Sequence, residues 1–147
     1  MRKGVLVRVV MGAVLALVVA PTLAAAASFK VVVNAGNSVT SATSAQLTRI
    51  FLKQETVWPS GQGATPVDLV EGHAVRQAFS QGVLHRDVGA VRSFWQRQIF
   101  SGNAVPPAEK PSEDEVLAFV RANPGGVGYV AESTPLPAGV KTITLTD

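Results

Sequence analysis

Residues 66–79 read PVDLVEGHAVRQAF, and this stretch decides the fold. Pro66 opens a short strand, PVDLV, with Val67 and Leu69 on one face. Glu71-Gly72 breaks it. A helix starts near His73, with Val75, Ala78, Phe79 and Val83 inward at helical spacing. A strand that runs straight into a helix is the building unit of α/β architecture.

The flanks repeat the alternation. Upstream, Phe29 to Asn34 (FKVVVN) is a β-branched run with little polar alternation, as in a strand buried on both faces. Asn34-Ala35-Gly36-Asn37-Ser38 is a turn-prone cluster. Ser44 is the expected N-cap of a short helix carrying Leu47, Ile50 and Phe51, which runs to about Leu52. Trp58 to Gly63 is a turn or loop. Downstream, Asp87 caps a helix whose apolar stripe is Val88, Val91, Trp95 and Ile99, widened by Phe94 and Phe100. Ser101 to Pro111 reads as a proline-rich loop. Ser112-Glu113-Asp114-Glu115 is a capping box on a solvated first turn, followed by the buried stripe Val116, Leu117 and Val120. Asn123-Pro124-Gly125-Gly126 ends that helix. Val127 to Ala131 and Val140 to Leu145 are the last two strands. The expected order is β-α-β-α-α-α-β-β. It predicts an α/β fold with a mixed, mainly parallel sheet flanked by helices.

The 147 residues carry 13 Lys+Arg and 10 Asp+Glu. Arg2, Lys3 and Arg8 precede an apolar run, Val9 to Ala20, closed by Pro21 and an alanine tract ending at Ala27. That pattern is a secretory signal peptide, cleaved after Ala26 or Ala27. The run is too short for a comfortable bilayer span, which takes about 20 apolar residues. Residues 1–27 are therefore read as signal, and 28–147 as one exported domain.

Losing the three basic residues leaves ten of each sign. No basic stripe is left for phosphate backbones, which argues against a nucleic-acid partner. The chain has no cysteine, which excludes thiolate catalysis and cysteine-ligated zinc. It has no G-x-S-x-G elbow and no P-loop, so no enzyme is implied. His73 and His85 stand twelve positions apart without a carboxylate pattern that fits a metal, and no cofactor is implied.

Ligands in open α/β sheets sit outside the carboxyl ends of strands. Two segments meet that description. One is Asn34 to Ser38, which nominates Asn34 and Ser38. The other is Glu71 to Ala74, where a helix N-terminus offers bare amides and a partial positive charge. There Gly72, His73 and Ala74 are the candidates, with Arg76 one turn in as a charge-assisted donor. A plain helix start, with Glu71 filling the anion's place, is the alternative. If His73 faces a cleft, its protonation makes binding depend on pH.

One ordered set of blocks points to a family. It runs Ile50-Phe51-Leu52, Trp58-Pro59-Ser60-Gly61, Pro66-Val67-Asp68, Glu71-Gly72, Arg76 to Phe79, Phe94-Trp95, Ile99-Phe100-Ser101-Gly102, and Asn123 to Val130 (NPGGVGYV). The chain resembles small periplasmic proteins similar to the substrate-binding component of phosphate ABC transporters, of the type 2 periplasmic-binding-protein fold. The resemblance implies one lobe of that fold and non-covalent binding of an oxyanion such as phosphate, or of a small polar solute. It also implies an ABC transporter permease or a sensor as docking partner. A two-lobed cleft would need a second copy, as a homodimer, or another protein.

Two departures qualify what carries over. The family junction resembles Asp-Gly-Ser-Gly-Thr preceded by an arginine. Here Glu71, Gly72, His73, Ala74 and Val75 match it, with Leu69 or Asp68 where the arginine would stand. Each missing charge-assisted bond costs binding about 1.5–3 kcal/mol. The second departure is size, since about 120 residues supply a single lobe. The alternative function is an interaction module that keeps the scaffold and has lost the ligand.

Overall fold

The computed structural model describes residues 27–147. The signal peptide read at 1–27 lies outside them, apart from Ala27. The elements are β1 (Phe29–Asn34), β2 (Ser41–Ala42), α1 (Ser44–Phe51), β3 (Thr65–Leu69), α2 (Ala74–Gly82), α3 (Val88–Phe100), β4 (Ala108–Lys110), α4 (Glu113–Ala122), β5 (Gly126–Ala131) and β6 (Val140–Leu145). None of the described helices is long and apolar enough to cross a membrane.

The six strands form one sheet in the order β2-β6-β1-β5-β3-β4. β1 is antiparallel to both β5 and β6, with Val32 opposite Gly128 on one side and Thr142 on the other. The remaining pairs, β2 with β6, β3 with β5 and β3 with β4, are parallel. Every strand but β1 therefore points its carboxyl end to the same edge. This is the mixed, mainly parallel sheet that the alternation of elements implies.

Helices cover both faces. Gly128 sits under α4, where a Cβ would come within 2.8 Å of Val116 and 2.9 Å of Val67, so only glycine lets the helix settle. The next residue, Tyr129, faces the other way. Its ring stacks on Phe79 of α2 with centroids 3.9 Å apart and planes 4° from parallel. Phe51 of α1 and Phe29 of β1 complete this aromatic cluster around Phe79, at 4.7 and 5.6 Å. Such pairs add about 0.5–1.5 kcal/mol each beyond their burial. Both-face covering also explains why Val31, Val32 and Val33 are all buried.

Several local expectations change. The α1 cap is Thr43, not Ser44: its hydroxyl accepts from the Gln46 amide while the Gln46 side chain accepts from the Thr43 amide. Ser44 instead donates, through its amide and hydroxyl, to the Asp147 carboxylate. Those two bonds hold the Asp147 carboxyl below the usual carboxylate range. At α4 only the forward half of the capping box forms, from the Glu115 amide to the Ser112 hydroxyl. Glu113 turns away to accept from the Ala131 amide and the Thr134 hydroxyl. The loop 101–111 contains β4, whose three residues lack the apolar pattern that marks a strand. The short strand β2 escapes the sequence reading for the same reason. In α3, Val91 and Trp95 are buried as expected, but Ile99 and Phe100 are exposed, because none of the described residues packs over the last turn.

Candidate functional site at the carboxyl edge

The common strand direction delivers three helix N-termini to one sheet edge, through β2 to α1, β3 to α2 and β4 to α4. Helix starts leave unpaired amides and a partial positive charge, so each end seeks an anion. At α1 the Asp147 carboxylate supplies it. At α4 the first turn itself holds Glu113, Asp114 and Glu115. α3 starts behind its own carboxylate as well, with Asp87 accepting from the Ala90 amide at 2.7 Å. Among the described helices, α2 alone has neither a carboxylate bonded to its first amides nor an acidic residue in its first turn.

The reason lies in two side chains. Glu71 turns outward and pairs with Arg92 of α3 at 2.7 Å. His73 occupies the cap, where its Nδ1 accepts from the Val75 amide at 3.2 Å. That bond requires an unprotonated Nδ1. Gly72 is exposed, and a Cβ built on it would meet nothing within 4 Å. Among the described residues, no hydrogen bond engages the amides of Gly72 and Ala74. A turn closed by the His73 amide on the Val70 carbonyl, at 3.1 Å, holds this rim in shape.

One turn deeper the site is sealed. Arg76 is 3% exposed and points into the core. Its guanidinium donates to the Leu69 carbonyl at 2.6 Å and pairs with Asp68 at 3.0 Å. The Tyr129 hydroxyl donates to the other Asp68 oxygen and accepts from the Leu69 amide at 3.3 Å. Burial pushes the Asp68 carboxyl up, and Arg76 and Tyr129 pull it part of the way back, to about 6. Burial and the neighbouring Asp68 push the Tyr129 hydroxyl well above its ordinary range. Arg76 is therefore no ligand donor. It ties the last residues of β3 to α2.

No protein-family model and no curated protein matches this sequence. Solved structures do match. An ABC-type phosphate transport receptor from Vibrio cholerae superposes with a TM-score of 0.62 at 22% identity, over 81% of this chain and 46% of the receptor. A Clostridium perfringens protein, assigned as a phosphate ABC transporter substrate-binding protein and solved with bound phosphate, superposes with a TM-score of 0.62. Its identity is 16%, over 81% of this chain and 45% of that one. PstS from Borrelia burgdorferi gives 0.60 at 12% identity, over 81% and 47%. The chain has the fold of about half of a phosphate-transport binding protein. The resemblance read from the sequence blocks names the same proteins, and the shared fold agrees with a single-lobe size.

Within that frame the six nominated residues separate. Gly72, His73 and Ala74 stand together on the open rim. Arg76 lies beneath them, closed off. Asn34 is at the opposite end of the sheet, because β1 runs against β3 and its carboxyl end faces away. There the Asn34 amide donates to the Val120 and Arg121 carbonyls at 3.1 and 3.0 Å, capping the end of α4. Ser38 lies on the connection from β1 to β2, and strands β6, β1 and β5 separate β2 from β3. Neither joins the rim. The sequence reading missed the Asp68, Arg76 and Tyr129 cluster. A signal for it was present: Arg76 falls one position after Val75 and three before Phe79, on the inward side of α2.

Proposed function

We propose that this is an exported solute-binding-type protein. It takes an oxyanion of the phosphate class, or another small polar solute, on the β3–α2 rim without covalent chemistry. One observation carries the reading: α2 is the one described helix with neither a carboxylate bonded to its first amides nor an acidic residue in its first turn. The amides of Gly72 and Ala74 are the donors. His73 is an exchangeable cap, since protonation of Nδ1 releases the Val75 amide to the ligand and adds a positive charge. Binding then strengthens on acidification. The solved relatives, whose names refer to phosphate, support the ligand class. The N-terminal pattern supports export.

Affinity is modest in this reading. The rim lacks the hydroxyls of the Asp-Gly-Ser-Gly-Thr pattern, and Arg76 is spent on Asp68. Each charge-assisted bond absent from the site costs about 1.5–3 kcal/mol, or roughly one to two orders of magnitude in Kd. Isothermal titration with phosphate and sulfate, at neutral and mildly acidic pH, checks this. Heat that grows on acidification is expected. Neither heat nor a shift in melting temperature with any anion would end the proposal.

The same departures favour a second reading, in which the scaffold docks on a transporter permease or a sensor and binds no solute. Capture from envelope extracts separates the two. A specific partner held equally by the native chain and by a variant altered across residues 71–75 supports docking.

A further inference from the structure

The end of α3 carries a surface that the described residues leave uncovered. Phe100 is 96% exposed, with Ile99 at 55% and Val105 at 68% beside it in sequence. Arg97, one turn before Phe100, is exposed too. From Val88 to Ala108 the chain has no carboxylate. The helix starts near the end of α2 and reaches Glu71 by Arg92. Eight further residues, about 12 Å of helix, carry it on past the β3–α2 rim. A protruding aromatic beside an unanswered cation is a binding element, as Phe and Arg are enriched in the cores of interfaces. Two such tips cannot cover each other, because Arg97 would face Arg97.

The complement lies on the other face of the sheet. An open groove of about 400 Å³ runs between α4 and the loop after β5. Leu117, Pro135, Leu136 and Pro137 wall it, with Asp114 at one end and Arg121 at the other. Asp114 precedes Leu117 by three residues, as Arg97 precedes Phe100. Residues three apart share a helix face, so an apolar side chain and a charge are presented together on both sides, Phe100 with Arg97 and Leu117 with Asp114.

We propose that a second copy of this chain is the occupant. Phe100 of each copy enters the α4 groove of the other, with Arg97 against Asp114. A two-fold axis in the sheet plane along the carboxyl edge exchanges the two faces. Each copy then gives its α3 tip and receives its partner's, and the contact closes as a dimer. In this arrangement the two β3–α2 rims face each other. The dimer stands independently of what the rim binds, so its failure would leave the anion-binding reading intact.

Sedimentation velocity on the purified protein tests it, with concentrations up to about 0.1 mM. A dimer is expected. Phe100→Asp, Arg97→Asp and Asp114→Arg should each weaken it by about 30-fold or more. All three positions are exposed, so circular dichroism should show unchanged folding. The double variant Arg97→Asp/Asp114→Arg restores opposite charges and should recover most of the affinity. A monomer throughout the range, a dimer indifferent to Phe100→Asp, or a charge swap that fails to recover would each overturn the proposal. So would a monomer that binds anionic phospholipid vesicles and loses them on Phe100→Asp, which would make a membrane the occupant.

Discussion

The rim and the base of the β3–α2 junction are four residues apart and behave oppositely. At the rim Gly72 meets open solvent, and among the described residues its amide and that of Ala74 have no internal partner. At the base Arg76 is buried against Asp68, Leu69 and Tyr129. The chain passes from one to the other in a single helical turn. Position on the helix, more than residue type, decides which groups can meet a ligand. The charged residue that looks most like an anion receptor is a structural tie, and uncharged positions are left to receive one.

The base gives the largest expected effect. Arg76→Met leaves Asp68 buried without its countercharge, which costs about 3–5 kcal/mol. Urea unfolding at neutral pH reads it directly. An unchanged midpoint, with anion binding lost instead, would reverse the comparison and return Arg76 to the ligand.

Next comes pH. The Asp68 carboxyl moves from 3.8 to about 6 on folding, so between those values the folded chain holds a proton the unfolded chain has released. The resulting stabilisation is full below about pH 4 and is lost as pH rises through about 6, an amount of about 3 kcal/mol. Asp147 works in the opposite sense, because its carboxyl is held low in the fold. The native protein and Asp68→Asn should therefore be compared across this window by urea midpoints. Their stability difference should change with pH. Parallel curves would mean that Asp68 titrates as it does in the unfolded chain.

The smallest effect belongs to the rim. Ala74→Asp gives α2 the carboxylate that the other helices already have. It should stabilise the fold by about 0.3–1 kcal/mol and abolish anion binding. Thermal melts and titration with phosphate measure both. A variant that binds phosphate as well as the native protein would show that the amides of α2 are not the receptor.

Much of this was legible in the chain. The run FKVVVN reads as a doubly covered strand, and Val31 to Val33 are buried. The caps Asp87 and His73 fall where the expected helices begin. Elements of two or three residues, β2 and β4, carry no periodic pattern, because pairing with a neighbour defines them. Ile99 and Phe100 continue an apolar stripe, but a stripe does not say where its cover ends. Asn34 and Gly72 both follow strands, and nothing local tells that those strands run in opposite directions.

Local chemistry alone settled the alternation of the longer strands and helices and the caps Asp87 and Ser112. It settled the pairing of glycine with a strand end at Gly72, since turn, cap and periodic signals act over a few residues. Strand direction was decided only by long-range pairing. β1 lies antiparallel between β5 and β6, and this put Asn34 and Gly72 at opposite edges. The burial of Arg76 was decided by packing as well: its guanidinium is held by Asp68 and the Leu69 carbonyl of the preceding strand β3, and Tyr129 of β5 reaches the same carboxylate from 61 residues away.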